Sequence, residues 1–200
     1  MSVQNTLEQI TVNMHSSIRI GGDAVIYIDP IGIPDAPHDA DILLITHPHF
    51  DHFSPRDIKK VMKDGTVIVC PKTASGLCRL LTGKEPVAVI PGQGFSLCGV
   101  SIETVAAYNK IKPMHARPFN FVGYVLTVGG TRVYISGDTD DTPEASSVKC
   151  DIAIIPIGGT YTVNPVQAAG LVNKIAPQAV IPVHYGVMLG GHDAPEKFRA

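Results

Sequence analysis

The segment Ile42-Leu-Leu-Ile-Thr-His47-Pro-His49-Phe-Asp51-His52 limits what this chain can fold into more than any other feature. Its aliphatic start lacks the polar alternation of a half-solvated strand. It reads instead as a strand covered on both faces, the habit of parallel sheets flanked by helices. That strand runs directly into three histidines and an aspartate within positions 47–52. In an extended chain residues i and i+2 point to one side, so His47 and His49 can clamp one cation. The following turn offers Asp51 and His52 to a second position nearby. Neutral imidazoles and a carboxylate suit zinc, iron or manganese rather than calcium or magnesium.

Other β-branched, aliphatic segments bounded by Gly, Pro or Asp read as strands: Ser17–Ile20, Ala24–Asp29, Thr66–Cys70, Val87–Ile90, Ser101–Val105, Phe121–Val128, Arg132–Ser136, Ile152–Pro156 and Ala179–Val183. Hairpin turns are expected at Gly21-Gly-Asp23 and Gly129-Gly130. Ser54-Pro55 with Asp57 signals a helix start running to about Lys63, and Asn164-Pro165 another to Ile175, with Val166, Ala169, Val172 and Ile175 on one face. A third helix over Thr73–Leu81 is interrupted by Gly76. Two sheets packed together with helices outside, a four-layer αββα sandwich of the α/β class, accommodates this order.

Hydrophobic residues are 44% and charged residues 17% of the 200 positions, which excludes a disordered solvating chain. One domain spanning residues 1–200 is expected. Sixteen basic residues against 18 acidic ones leave a net charge of -2. No global positive field then favours nucleic acid or an anionic membrane as partner. Met1–Thr11 has neither a basic n-region nor an apolar h-region, so the expected location is cytoplasmic. Cys70, Cys78, Cys98 and Cys150 form no C-x-x-C pair and read as reduced core or near-core thiols.

Two residues at strand ends extend the candidate metal centre. Asp138 follows the strand ending at Ser136-Gly137, where its carboxylate can bridge two cations or close an Asx turn. His184 follows Val180-Ile-Pro-Val183, either as a half-buried histidine or as a further ligand.

With these residues the chain resembles the metallo-β-lactamase superfamily, whose signature is H-x-H-x-D-H after a strand. Met14-His15-Ser-Ser-Ile-Arg-Ile20, Val25-Ile-Tyr-Ile-Asp29-Pro30, Ser136-Gly-Asp138-Thr139 and Pro182-Val-His184-Tyr-Gly186 carry the resemblance along nearly the whole sequence. The opening and closing segments look like the branch that includes ascorbate-6-phosphate lactonase and small metal-dependent hydrolases. The resemblance implies the αββα fold and one or two divalent metal ions, zinc first, with iron or manganese as alternatives. It carries His47 and His49 onto the first metal, Asp51, His52 and His184 onto the second, and Asp138 onto the bridge, and it sets His15 near the site behind the ligands, where the residue reads otherwise as a plain strand histidine. Relatives supply a further histidine near the position of Tyr108-Asn109, where this chain has none. His115, 23 residues before Asp138, is left as either the replacement ligand or a loop residue that meets substrate or solvent.

A cation so held lowers the pKa of bound water from about 15.7 to about 7 and supplies hydroxide at neutral pH. The expected activity is hydrolysis of an ester, lactone, amide or phosphodiester bond in a small anionic substrate, with Asp51 as catalytic residue. Lys112 and Arg117 read either as contacts for the anionic group or as solvated charges, and Tyr108, Asn109 or Tyr185 are the candidates for a further hydrogen bond. The competing readings are a nuclease or phosphodiesterase acting on a polymer or lipid, and a non-catalytic metal-binding module. His38 reads as an exposed loop residue, and His192 as a substrate contact or a residue without a role.

Overall fold

The computed structural model of the chain describes residues 2–186 and 191–200. After a short helix, α1 (Val3–Glu8), β1 (Ile10–Val12), β2 (Ile18–Ile20), β3 (Ile26–Ile28), β4 (Ala40–Leu44), β5 (Met62–Pro71) and β6 (Val87–Val89) lie side by side in chain order. β7 (Gly94–Leu97), β8 (Val100–Ala106), β9 (Val122–Val128), β10 (Thr131–Ile135), β11 (Ile152–Pro156) and β12 (Ala179–Val183) form a second sheet, also in chain order. Both sheets are mixed. β3 to β6 run parallel, as do β10 to β12, and the remaining neighbours are antiparallel hairpins or meanders.

Strand alternation explains the layers. Ile18, Ile20, Ile26, Ile28, Ile42 and Leu44 meet Val122, Tyr124, Leu126, Val133, Ile135, Ile152 and Ile154 between the sheets, all essentially buried. Leu43, Ile45, Ile68 and Cys70 face the other way, onto Ile58 and Val61 of α2 (Pro55–Val61) and Cys78 of α3 (Ser75–Thr82). On the far side Val125, Tyr134, Ala153 and Ile155 are covered by α4 (Pro143–Ser146), α5 (Pro165–Ile175) and α6 (Ala194–Arg199) through Ala145, Ala168, Leu171, Ile175 and Ala194. Each buried Ile or Leu contributes roughly 1.5–3 kcal/mol. The expected four-layer αββα sandwich is the observed fold.

Local signals behave as the sequence suggests, with three differences. Ser54 caps α2, and Asn164 with Gln167 closes a capping box on α5. The two-residue Gly129-Gly130 turn has positive φ at both positions, as the β9–β10 hairpin requires. Gly76 does not interrupt α3, because buried Cys78 anchors the helix and Gly83 ends it in the left-handed conformation. The buried face of α5 is Ala168, Leu171 and Ile175, and Val166 is exposed. Of the four free cysteines, Cys98 is exposed in the β7–β8 turn, outside the core. No helix among the described residues is long and apolar enough to cross a membrane.

Candidate metal centre

The carboxyl ends of β3, β4, β10 and β12 reach one rim of the sandwich, where open α/β sheets place their sites. Each delivers polar side chains there: Asp29 after β3, His47 to His52 after β4, Asp138 after β10 and His184 after β12. The rim is tied across the two sheets. Tyr124 donates its hydroxyl to the Ile45 carbonyl (2.7 Å), and the backbone N–H groups of Val122 and His184 donate to the carbonyls of Thr46 and His15, each at 3.2 Å. His15, Asp29 and His184 hold positive φ values of 55, 46 and 59°. Such backbone is uncommon outside glycine and clusters at functional sites.

His115 Nε2 lies 3.1 Å from both His47 Nε2 and His49 Nδ1, with Asp138 Oδ2 3.4 Å away. On the other side of Asp138, His52 Nε2 is 3.2 Å from Oδ1 and His184 Nε2 3.2 Å from Oδ2. Asp51 Oδ2 completes this half, 3.5 Å from His184, 3.8 Å from His52 and 3.4 Å from His15. Ligands about 2.0–2.1 Å from a tetrahedral cation lie roughly 3.3 Å from one another. Both clusters therefore have the spacing of ligand sets. His52 Nε2, His184 Nε2 and Asp138 Oδ1 are buried and make no hydrogen bond, a costly arrangement for the protein alone. Donor type, spacing and these unpaired atoms all fit divalent cations on either side of Asp138.

Asp29 sets the ring orientations. His52 Nδ1–H donates to Asp29 Oδ2 at 2.8 Å, which turns Nε2 into the site. The Thr46 hydroxyl donates to the same oxygen at 2.6 Å. A hydroxyl has one proton, so its 2.9 Å contact with His47 Nδ1 must be donated by the ring, leaving His47 Nε2 as a bare lone pair. The Thr46 backbone N–H satisfies Asp29 Oδ1 at 2.8 Å.

Charge divides the two halves. Burial pushes His47 and His49 below the ordinary imidazole value and His115 down to about 4. Burial also works against protonation of His52 and His184, but the Asp138 carboxylate outweighs it and raises both. Burial likewise disfavours the carboxylates of Asp138 and Asp51, yet their histidine neighbours hold both below the usual range.

The structure brings together His47, His49, Asp51, His52, His115, Asp138 and His184. His115 reaches the first cluster on a turn at Pro113–His115, in which Asn109 N–H donates to the His115 carbonyl at 2.8 Å. Asn109 itself forms the base of that turn. His15 lies at the rim beside the candidate ligands: its side chain is 1% exposed and its ring centroid lies 3.8 Å from that of His184. Sequence reasoning missed the roles of Asp29 and of Phe121, whose ring backs His47 and His49. It also missed Tyr161, beside His115. Asp29 and Tyr161 each follow a strand that ends at this rim, a readable signal.

Other expected contacts lie elsewhere. The Lys112 ammonium donates to the Thr162 carbonyl (2.6 Å) and pairs with Asp140, Arg117 pairs with Glu144, and the Tyr108 hydroxyl donates to Glu144. Tyr185 lines a separate hollow beside β12. His38 and His192 are exposed.

Fold and site together define a metallo-hydrolase of the αββα class. The chain belongs to the β-lactamase superfamily domain family, which matches residues 9–184. Among its relatives, a UPF0173 metal-dependent hydrolase of Thermococcus onnurineus is 29% identical, with 92% of this chain and 88% of the relative aligned. A UPF0173 protein of Pyrococcus abyssi is 35% identical over 83% of this chain and 77% of its own. A crystal structure from Parabacteroides distasonis, assigned as a metal-dependent hydrolase, superposes with a TM-score of 0.77 at 34% identity, covering 90% of this chain and 83% of that one. The protein is thus an enzyme of the metal-dependent hydrolase class.

Proposed function

We propose that His47, His49 and His115 hold one divalent cation, that Asp51, His52 and His184 hold a second, and that Asp138 joins them. The protein would use this pair to hydrolyse an ester, lactone, amide or phosphodiester bond in a small molecule. The observation that carries this reading is the buried Asp138 carboxylate, with histidine nitrogens 3.2–3.4 Å away on both sides.

Bound cations, zinc first, would acidify water and polarise the oxygen of the scissile group. The chain's own residues do the rest. Asp51 lines the cavity above the rim, and as a carboxylate held ionised by His15 and His184 it can orient water and accept its proton. Phe121 shields the backs of His47 and His49 from solvent, and Asp29 fixes the rings.

The test is metal content per chain by mass spectrometry, together with hydrolysis of p-nitrophenyl esters and bis-p-nitrophenyl phosphate. Two equivalents should fall to one in His115→Ala and in His184→Ala, and Asp51→Ala should lose activity. Full metal content in both histidine variants, or full activity in Asp51→Ala, would overturn the assignment.

A further inference from the structure

A cavity of about 230 Å³ opens directly above the rim. Its floor carries Asp51, Asp138 and His115, and its walls are Phe50, Met114 and Tyr161. Phe50 is 77%, Met114 50% and Tyr161 40% exposed, so these large apolar side chains contribute little to the core. Exposed apolar surface gathered around a polar centre marks a binding surface. Its position is fixed by the chain. Phe50 stands between His49 and Asp51, and Met114 immediately precedes His115, so residues that build the floor also carry the walls.

Charge narrows what can enter. Among the described residues no lysine or arginine lines this cavity. The two nearest in sequence are committed, Lys112 to Asp140 and the Thr162 carbonyl, and Arg117 to Glu144. Sites that cleave phosphoesters clamp the spare charged oxygens with such side chains as well as with metal. A volume below the usual 300–1,000 Å³ of drug-sized sites calls for a compact ligand.

We propose that the substrate is a small uncharged carbonyl compound, an ester, lactone or amide, whose apolar acyl portion lies against Phe50, Met114 and Tyr161. This rests on the hydrolase reading and replaces the anionic substrate expected from sequence. Hydrolysis forms one bond from water oxygen to the acyl carbon and breaks the bond to the leaving oxygen or nitrogen. The leaving atom takes one of the water's protons, and the acid formed releases the other.

Two measurements on the metal-loaded protein test it. The first compares kcat/KM for p-nitrophenyl acetate, butyrate and hydrogen succinate and for bis-p-nitrophenyl phosphate. The second compares calorimetric binding of acetohydroxamate, butyrohydroxamate and succinic monohydroxamate. Each buried methylene is expected to raise both quantities about fourfold, so butyryl should exceed acetyl about sixteenfold and succinyl by at least as much. Met114→Lys, at a half-exposed position, should shrink the butyryl preference and favour succinyl while metal content stays unchanged. Turnover with succinyl or the phosphodiester preferred, or with no dependence on acyl length, would overturn the substrate class and leave the hydrolase reading intact. The hydroxamate preference without turnover would uphold the apolar cavity and overturn the hydrolase reading. Neither binding nor turnover would overturn both.

Discussion

The backbone N–H of His184 donates to the carbonyl of His15 at 3.2 Å, and the two imidazoles lie 3.8 Å apart between centroids. The contact joins the loop before β2 in one sheet to the end of β12 in the other. Neither ring nitrogen of His15 makes a hydrogen bond, although both are buried, and Nε2 lies 3.4 Å from Asp51. In the proposed centre, His15 would therefore support the second metal position, or join Asp51, His52 and His184 as one of its ligands. His15→Ala should weaken the second equivalent 10- to 100-fold, in the range for groups that orient ligands, and leave the first unchanged. Competition with a chelator checks this, and two unaltered affinities would refute it.

Asp29 acts on both halves of the centre, on His52 directly and on His47 through Thr46. Asn suits the left-handed backbone at this position but removes the negative charge facing His52. In Asp29→Asn both metal equivalents should bind more weakly, that of His52 more than that of His47. Equal affinity in wild type and variant would show that Asp29 does not set the rings.

Much of this was legible in the sequence, for physical reasons that differ by element. β11 and β12 match their expected spans residue for residue, β11 because it is a fully buried aliphatic run after Asp151, and β12, a partly buried edge strand, because its aliphatic run starts after Pro177-Gln178 and stops at His184. The edge strands β1 and β7 carry mixed, partly exposed residues, and no periodicity separates them from loop. Valines and alanines in α5 fit two overlapping stripes, one through Val166 and one through Leu171, and only tertiary packing selects the second. The clustering of strand-end polar residues was readable because one short segment contains four of them. His115 was not decided by spacing, since its loop is held by Lys112 reaching Thr162, 50 residues away.

Metal uptake should release protons from one half of the centre only. Asp138 raises His52 and His184 above the ordinary imidazole value, so in the metal-free protein protons persist there to higher pH than on a free imidazole. The stability they contribute is present below about pH 6.5 and is lost as pH rises through their raised folded values. A cation must displace those protons, so affinity at the second position should rise with pH. His115, at about 4, and the lowered His47 and His49 are already neutral, so the first position should vary little between pH 6 and 8. Calorimetry in buffers of different ionisation enthalpy reads the proton count directly, and zero release on filling the second position would contradict the charge assignment.

Gly158 lies at the end of β11, where a Cβ would collide with the His184 carbonyl oxygen and press on its Nδ1 at 3.2 Å. The oxygen is backbone, so the strain cannot be relieved by rotating a side chain. Gly158→Ala should cost about 1–3 kcal/mol, lowering Tm by roughly 2–4 °C per kcal/mol in a chain of this length, and should displace His184 enough to lose the second metal equivalent. Gly170, inside α5, has open space at its Cβ position. Gly170→Ala removes a helix-weakening glycine and should gain about 0.5–1 kcal/mol with both equivalents retained. Thermal melts with metal analysis on the two variants compare one substitution in two surroundings. If Gly158→Ala kept both equivalents, the close approach of β11 to His184 would not be what fixes that ligand.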